Sequence, residues 1–175
     1  GVRPVYLVSM FLASLPALYL LVFNVGYRRA RILAFLNPWA DPRGSGFQII
    51  QSQIAIGSGG LFGAGLGHSK QKLFYLPAAH TDFIFAIIGE EFGFFGVSFL
   101  ILLFLLMFVT GSYFALTVHN RFGFYVIAGF VMLLALQTLI NLGVVTSCLP
   151  NKGVPLPFIS YGGSALLAYS MMVGF

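Results

Sequence analysis

Three long stretches without a charged side chain constrain this chain more than any other feature of its sequence. They run from Pro4 to Tyr27, from Phe92 to Asn120 and from Phe122 to Asn151. Each exceeds the roughly 20 apolar residues that an α-helix needs to cross a lipid bilayer. None shows the two-residue alternation of a barrel strand, and only helices or closed barrels can span lipid. The sequence therefore predicts an all-α polytopic membrane protein.

Composition agrees, since 59% of the 175 residues are hydrophobic and only 7% are charged, against about 25% charged in a soluble domain. The chain starts with a glycine rather than an initiator methionine, and residues 163–175 would rise only about 20 Å as a helix. That is short of the roughly 30 Å hydrocarbon core, so we expect a fragment that stops inside its last span. The lone Cys148 excludes an intrachain disulfide and is expected to be a small buried residue.

Four spans and two polar connections organise the chain into one predicted membrane domain. The spans are predicted at about residues 5–23, 92–116, 124–147 and 163–175. Because each span crosses once, the connections 28–82 and 149–163 lie on one face of the membrane and the turn HNRFG on the other. Seven of the nine basic residues fall on the first face, which the positive-inside rule alone would make cytoplasmic. Two polar segments that meet on one face predict a site there.

Two stretches of the first connection have local patterns. FQIIQSQIAI predicts a short helix in the membrane interface or re-entering the protein. Its apolar face comprises Phe47, Ile50 and Ile54, and its polar face Gln48, Gln51 and Ser52. The glycine-rich GSGGLFGAGLG that follows has no nucleotide-binding spacing. We interpret it as tight turns in a loop buried in protein, and a phosphate cradle of bare N–H groups is the less favoured alternative.

Asp82 is the strongest candidate for chemistry. It lies in LPAAHTDFIFAIIGEE, at the start of an apolar helix, where an ionisable side chain is costly and functional by default. Capping of that helix is the structural alternative, although Thr81 could cap it without a charge. If the helix is continuous, Glu90 points about 80° and Glu91 about 180° away from Asp82. A close pair of carboxylates is therefore not expected.

Three motifs in chain order resemble the SEDS (shape, elongation, division and sporulation) family, which includes FtsW, RodA and SpoVE. They are NPWADPRGSGFQIIQSQIAIGSGGLFGAGLG, KLFYLPAAHTDFIFAIIGEEFG and LPNKGVPLPFISYGGS, and they are most similar to the division and sporulation members. The resemblance implies the C-terminal four transmembrane helices of a roughly ten-helix, GT-C-like fold. It also implies that the large loop is extracytoplasmic, against the charge rule. Ala78 replaces a glutamate usual in division members, so no role for that glutamate is carried over.

The resemblance implies a peptidoglycan glycosyltransferase that polymerises lipid II into β-1,4-linked glycan strands for the septal wall, with Asp82 as its catalytic aspartate. Our hypothesis is that Asp82 acts as the general base that takes the proton from the acceptor hydroxyl. One carboxylate suffices because pyrophosphate is a good leaving group, whereas glycoside hydrolases use two. The residues predicted to bind substrate are Arg43, Gln51, Lys72, His80, Thr81, Lys152, Ser160, Gly162 and Gly163. No metal site made of protein ligands is predicted, although Mg²⁺ or Mn²⁺ could share the pyrophosphate charge.

The resemblance also implies a class B penicillin-binding protein as partner, bound through membrane helices and the large loop. Other division proteins and membrane lipids are further partners, and no nucleic acid is expected. The predicted location is the bacterial cytoplasmic membrane at the division septum. Candidate contacts with the partner's helix, for which lipid contact is an equal alternative, are Phe99, Phe104, Gly129 and Ala135.

Two other functions stay open from the sequence. A lipid II flippase would share the polytopic fold, but it would need polar groups near the middle of the bilayer. The second and third spans offer little beyond Gln137 and Asn141. A non-catalytic scaffold for the division machinery would leave Asp82 replaceable by any capping residue.

Overall fold

The computed structural model describes residues 3–23, 26–44, 46–69, 82–150 and 152–174. Within these ranges the regular structure is entirely helical, which confirms the predicted all-α class. The helices are α1 Pro4–Phe23, α2 Gly26–Leu36, α3 Phe47–Gly59, α4 Ile84–Thr117, α5 Arg121–Val145 and α6 Gly163–Gly174, with a 3-10 turn at Pro38–Ala40.

Helices α4 and α5 are long and apolar enough to cross a membrane. Only 11% of the most apolar window of each is buried inside the protein. Most of their apolar side chains therefore lie on the surface of the described structure. This is typical of helices that lipid or further transmembrane helices cover. Helix α6 and the part of α1 before Pro16 are shorter apolar helices. The bilayer boundaries and the assignment of a single membrane domain stay predictions.

The chain divides into two compact units, Gly1–Phe47 and Gln48–Phe175. The first contains α1, α2 and the 3-10 turn, and it ends in a turn built on Asp41. There the backbone N–H of Gly44 donates to Asp41 Oδ1 at 3.0 Å, and the N–H of Gly46 donates to the Asp41 carbonyl oxygen at 3.1 Å. Such side-chain-supported turns are what the Pro, Asp and Gly content of NPWADPRGSG predicts.

The second unit contains α3 to α6 and an apolar core at one end of the α4–α5 pair. The core draws on α3, the first turns and middle of α4, the end of α5 and the segment after α5. Its buried members are Ala55, Phe83, Phe85, Ala86, Ile87, Phe104, Val144, Val145 and Leu156. Phe104 is therefore a core residue that stacks on Phe108 with ring centroids 6.1 Å apart. Its predicted place on an outward, partner-binding face is wrong, whereas Phe99 is exposed.

Helix α3 forms where the sequence predicts a short helix, but the predicted division into faces is wrong at Ser52 and Ile54. Ser52 and Ala55 are completely buried, while Ile54 is 46% exposed. The Ser52 hydroxyl donates to the carbonyl oxygen of Ile49 at 2.8 Å and contacts that of Val145 at 3.4 Å. Ser52 thus lies at a contact with the end of α5, where backbone carbonyl oxygens satisfy its hydroxyl.

Helix α4 is interrupted at Gly93, whose φ of 65° and ψ of −161° are essentially restricted to glycine. The interruption frees backbone groups, and the glycine-rich segment 60–65 binds them. Four backbone hydrogen bonds of 2.9 to 3.2 Å run from Ala64 N to Glu90 O, Gly65 N to Glu91 O, Phe94 N to Gly60 O and Phe95 N to Leu61 O. The two halves of α4 are therefore joined through this segment.

The backbones approach so closely because the contact positions carry no side chain. A Cβ on Gly63 would lie 2.1 Å from the carbonyl oxygen of Glu91, and a Cβ on Gly93 would lie 2.4 Å from the nitrogen of Gly63. The prediction of tight turns is confirmed. The prediction that the loop is buried is wrong at its tip, where Phe62 is 81% exposed.

Cys148 is exposed, so the prediction that it is buried is also wrong. Helix α5 ends at Val145, and Ser147 turns the chain with a φ of 59°. The N–H groups of Ser147 and Cys148 bond back to the carbonyl oxygens of Val144 and Gly143, at 3.1 and 2.7 Å, as in a Schellman motif. The apolar run thus continues past the helix, and Cys148 lies beyond its end.

Candidate active site

Asp82 lies directly before α4 and is half-buried. The N-cap of α4 is Phe83, which is 1% exposed in the core and forms no side-chain capping hydrogen bond. Among the described residues, no hydrogen-bond donor contacts the Asp82 carboxylate. The structure therefore does not support helix capping as the role of Asp82.

The Asp82 carboxylate lies against the backbone of Gly153, in the connection between α5 and α6. A Cβ on Gly153 would lie 2.8 Å from Asp82 Oδ2 and 3.6 Å from its Cγ. Lys152, the neighbouring residue, is exposed. The end of the first polar connection and the start of the second are thus in contact, and Lys152 is the residue next to that contact in the sequence.

Asn141, on α5 and only 1% exposed, holds these two segments together. Its Nδ2 donates to the carbonyl oxygen of Asp82 at 3.0 Å and to that of Val154 at 2.7 Å. Its Oδ1 is buried and has no partner in the described structure. A buried polar atom without a partner costs about 1–3 kcal/mol, so the amide is retained at a cost and both of its N–H groups are in use.

Gln137, one helical turn before Asn141, fixes the next part of the same connection. Its Nε2 donates to the carbonyl oxygen of Pro155 at 3.3 Å, and it also makes a short hydrogen bond to the hydroxyl of Tyr169 on α6. Further along, the Ser160 hydroxyl accepts a hydrogen bond from the N–H of Leu156 at 2.7 Å. Two amides on one side of α5 therefore hold residues 153–157, the part of the second connection that lies beside Asp82. We call this segment the wall beside Asp82.

The remaining predicted substrate-binding residues are distributed over the chain. Ser160 supports the backbone of the second connection, Gly162 directly precedes α6, and Gly163 is its first residue. Gln51 lies on α3, half-buried, in a helix that contacts the same end of α5. Arg43 is exposed in the first unit.

Three predicted site residues, Lys72, His80 and Thr81, lie outside the described residues. Of the predicted set, the described structure thus brings together Asp82 and the segment that begins at Lys152. The assignment of roles to these residues stays a prediction.

Sequence reasoning assigned no site role to Asn141, Gln137 and Gly153. The sequence does contain a pattern that indicates a role for Gln137 and Asn141, because they are isolated polar side chains four residues apart in an apolar helix. Residues at that spacing lie on one face, and polar groups in such helices bond across to neighbouring segments. Gly153 carries no comparable signal, since its role depends on what lies opposite.

The other carboxylates in the second unit have protein partners. Glu90 and Glu91 are buried at the break in α4, and Glu90 Oε2 accepts a hydrogen bond from the Ser69 hydroxyl at 2.5 Å. In the described part of the chain, no group of three or more His, Cys, Asp or Glu side chains could hold a metal ion.

Two of the helices are long and apolar enough to cross a membrane, and the Asp82 carboxylate lies where two polar connections of the chain meet. The sequence model of the FtsW/RodA/SpoVE cell cycle proteins matches residues 1–175. This chain belongs to the FtsW/RodA/SpoVE family, and it is a membrane protein.

Curated relatives carry the names of that family. A probable peptidoglycan glycosyltransferase FtsW from Geobacter metallireducens is 53% identical over 99% of this chain and 46% of its own length. Stage V sporulation protein E from Bacillus subtilis is 49% identical over 99% of this chain and 48% of its own. The chain spans about half the length of the curated relatives it matches.

A solved structure shares the fold. It is described as the structural coordination of polymerization and crosslinking by a peptidoglycan synthase complex. The match has a TM-score of 0.70 at 30% identity, and it covers 96% of this chain and 46% of that one. The helical arrangement described above is thus one that a peptidoglycan synthase complex contains.

Proposed function

We propose that the full-length protein is a peptidoglycan glycosyltransferase that polymerises lipid II, with Asp82 as its general base. The names of the relatives support the reaction class. The observation that carries the role of Asp82 is its position. It is a half-buried carboxylate with no described hydrogen-bond donor on it, at the contact between two polar connections, with an exposed lysine one residue from that contact.

The reaction forms one bond and breaks one. The 4-hydroxyl oxygen of the acceptor sugar attacks the anomeric carbon of the donor, from the side opposite the leaving group. The bond from that carbon to pyrophosphate breaks, and its electron pair leaves with undecaprenyl pyrophosphate. Asp82 accepts the hydroxyl proton, a contribution typically worth about 10²–10⁴-fold in rate. The inversion turns an α-linked donor into a β-1,4-linked strand.

Positive charge assists the departure of pyrophosphate. Lys152 is the described cation nearest in sequence to the Gly153 contact, and its exposure suits it to bind a ligand that enters from outside. Lys72 is proposed for the same role from the motif that it shares with the family. Preorganised charge at a developing anion lowers the barrier more than equal charge in water. A Mg²⁺ or Mn²⁺ ion held by the pyrophosphate itself stays a prediction.

The flippase alternative loses support from the amides. A path for a polar head group would need free polar side chains inside the spans. Gln137 and Asn141 instead use their N–H groups on the backbone of the second connection and on Tyr169. Their N–H groups are thus engaged within the protein, which supports the glycosyltransferase over the flippase.

The test is Asp82→Asn in the full-length protein, reconstituted with lipid II and its class B penicillin-binding protein. We expect glycan synthesis to fall by about 10²–10⁴-fold with a normal melting temperature in detergent. Asp41→Asn, at an exposed aspartate in the first unit, is the matched control and should keep full activity. Normal polymer yield from well-folded Asp82→Asn protein would remove the base assignment.

The proposed setting is the septum, with the Asp82 face outside the cytoplasmic membrane and a class B penicillin-binding protein as partner. Cys148 is exposed in the same connection as Gly153, so it reports the side on which this connection lies. We expect a membrane-impermeant maleimide to label Cys148 in intact cells or protoplasts, with Cys148→Ser as control. Labelling only after the membrane is permeabilised would place the site in the cytoplasm and contradict the proposed orientation.

A further inference from the structure

Two residues contact Asp82, one at its backbone and one at its carboxylate. Asn141 bonds to the Asp82 carbonyl oxygen and to that of Val154, and Gly153 lies against the carboxylate itself. We propose that Asn141 and Gly153 are positioning residues for the general base. This inference rests on the function proposed for Asp82.

Asn141 links the segment that ends at Asp82 to the segment that contains Val154, and these two segments are not parts of one helix. One of its N–H groups bonds to Asp82 and the other to Val154, the residue after Gly153, so the amide sets how far the carboxylate lies from the opposite wall. An apolar side chain of similar volume would fill the space but leave both carbonyl oxygens without this donor. The two segments would then be free to separate.

Gly153 has no side chain, and this leaves space for the Asp82 carboxylate. It is exposed, and its φ is not positive, so its backbone would tolerate a residue with a side chain. The atom closest to a Cβ placed there is Asp82 Oδ2, at 2.8 Å, which is closer than van der Waals contact permits. Because a carboxylate ends a flexible side chain, it can move aside at little cost to the fold. Gly153→Ala should therefore displace the base and leave the protein stable.

A displaced base loses rate because proton transfer requires hydrogen-bond distance to the acceptor hydroxyl. A misplacement of about 1 Å can cost about 10²-fold. We therefore expect Gly153→Ala and Asn141→Leu each to lower kcat by about 10- to 100-fold, while KM for lipid II changes little. A role confined to folding would lower the melting temperature and the yield of active protein instead.

The experiment measures kcat, KM and melting temperature in the full-length protein with its penicillin-binding partner and lipid II. The control for Gly153→Ala is Gly57→Ala, at an exposed glycine of α3 where a Cβ would meet nothing within 4 Å. The control for Asn141→Leu is Thr138→Val, which removes a buried hydroxyl whose hydrogen bond to Leu134 lies within α5. Both controls should keep the wild-type kcat.

Each variant is also combined with Asp82→Asn. If the two residues act through the carboxylate, neither lowers the residual rate of Asp82→Asn further, because effects on one functional unit do not add. Wild-type kcat in Gly153→Ala overturns the proposal, and so does a loss of equal size in the Asp82→Asn background. Gly153→Ala alone decides the matter if Asn141→Leu fails to fold. A fully active Asp82→Asn variant would instead refute the proposed function.

Discussion

Two segments hold the first part of α4 in place, and they do so by different means. The glycine-rich segment 60–65 binds it at the break near Gly93 through backbone groups alone. The segment 153–157 is bound beside Asp82 through the side-chain amides of Asn141 and Gln137. The attachment of segment 60–65 depends on glycines that have no side chain. The attachment of segment 153–157 depends on the side chains of Asn141 and Gln137.

Because the two attachments, at segment 60–65 and at segment 153–157, are made differently, we expect them to control different properties of the protein. Backbone bonds at positions with no side chain admit little adjustment, so the glycine-rich segment sets the shape of α4. A side-chain amide can be substituted without a change in the backbone, so substitutions at the second attachment can change the distance between segment 153–157 and Asp82. We therefore expect substitutions at the first attachment to cost the most stability, and substitutions beside Asp82 at the second, such as Asn141→Leu, to have the larger effect on rate.

The largest effect on stability should come from Gly93→Ala. An alanine there would hold a φ of 65° and ψ of −161°, and its Cβ would lie 2.4 Å from a backbone nitrogen that cannot rotate away. Such a conformation costs about 1–3 kcal/mol, and overpacking adds about 1–3 kcal/mol. We expect a sharp fall in the melting temperature of the full-length protein in detergent.

The control for this prediction is again Gly57→Ala. That glycine lies within α3, and alanine favours a helix by about 1 kcal/mol over glycine. The control should therefore be as stable as the wild type or slightly more stable. If Gly93→Ala melts at the wild-type temperature, the break is not held by the backbone contacts described here, and the comparison between the two attachments fails.

The features that the sequence predicts well are those that depend on local pattern. Uncharged runs predict the helices α4 and α5 because their length alone is diagnostic. The glycine run predicts turns, since positive φ at Gly60, Gly63, Gly65 and Gly67 requires little else. The fold class and the turns could therefore be read without knowledge of any contact.

The features that the sequence predicts poorly depend on what lies opposite. The sequence predicts Ser52 on the polar face of α3, but Ser52 is buried because its hydroxyl contacts two carbonyl oxygens. From the sequence, Asn141 is one of two polar residues in the spans that a flippase could use, whereas the structure shows it bonded to two segments far apart in the chain. Gly153 had no role at all until the Asp82 carboxylate was found against it. Long-range packing decided all three.

The smaller stability effect expected is that of Gln137→Leu, which tests the amide-held attachment without touching Asp82. It removes the donor from Pro155 O and from the hydroxyl of Tyr169, at a cost of about 1–3 kcal/mol. Tyr169→Phe removes only the second contact and should cost about 0.5–1.5 kcal/mol. Thermal unfolding in detergent measures both, and kcat should fall less than in Asn141→Leu because Gln137 does not contact Asp82. A loss of stability in Gln137→Leu as large as that in Gly93→Ala would contradict the ranking of the two attachments.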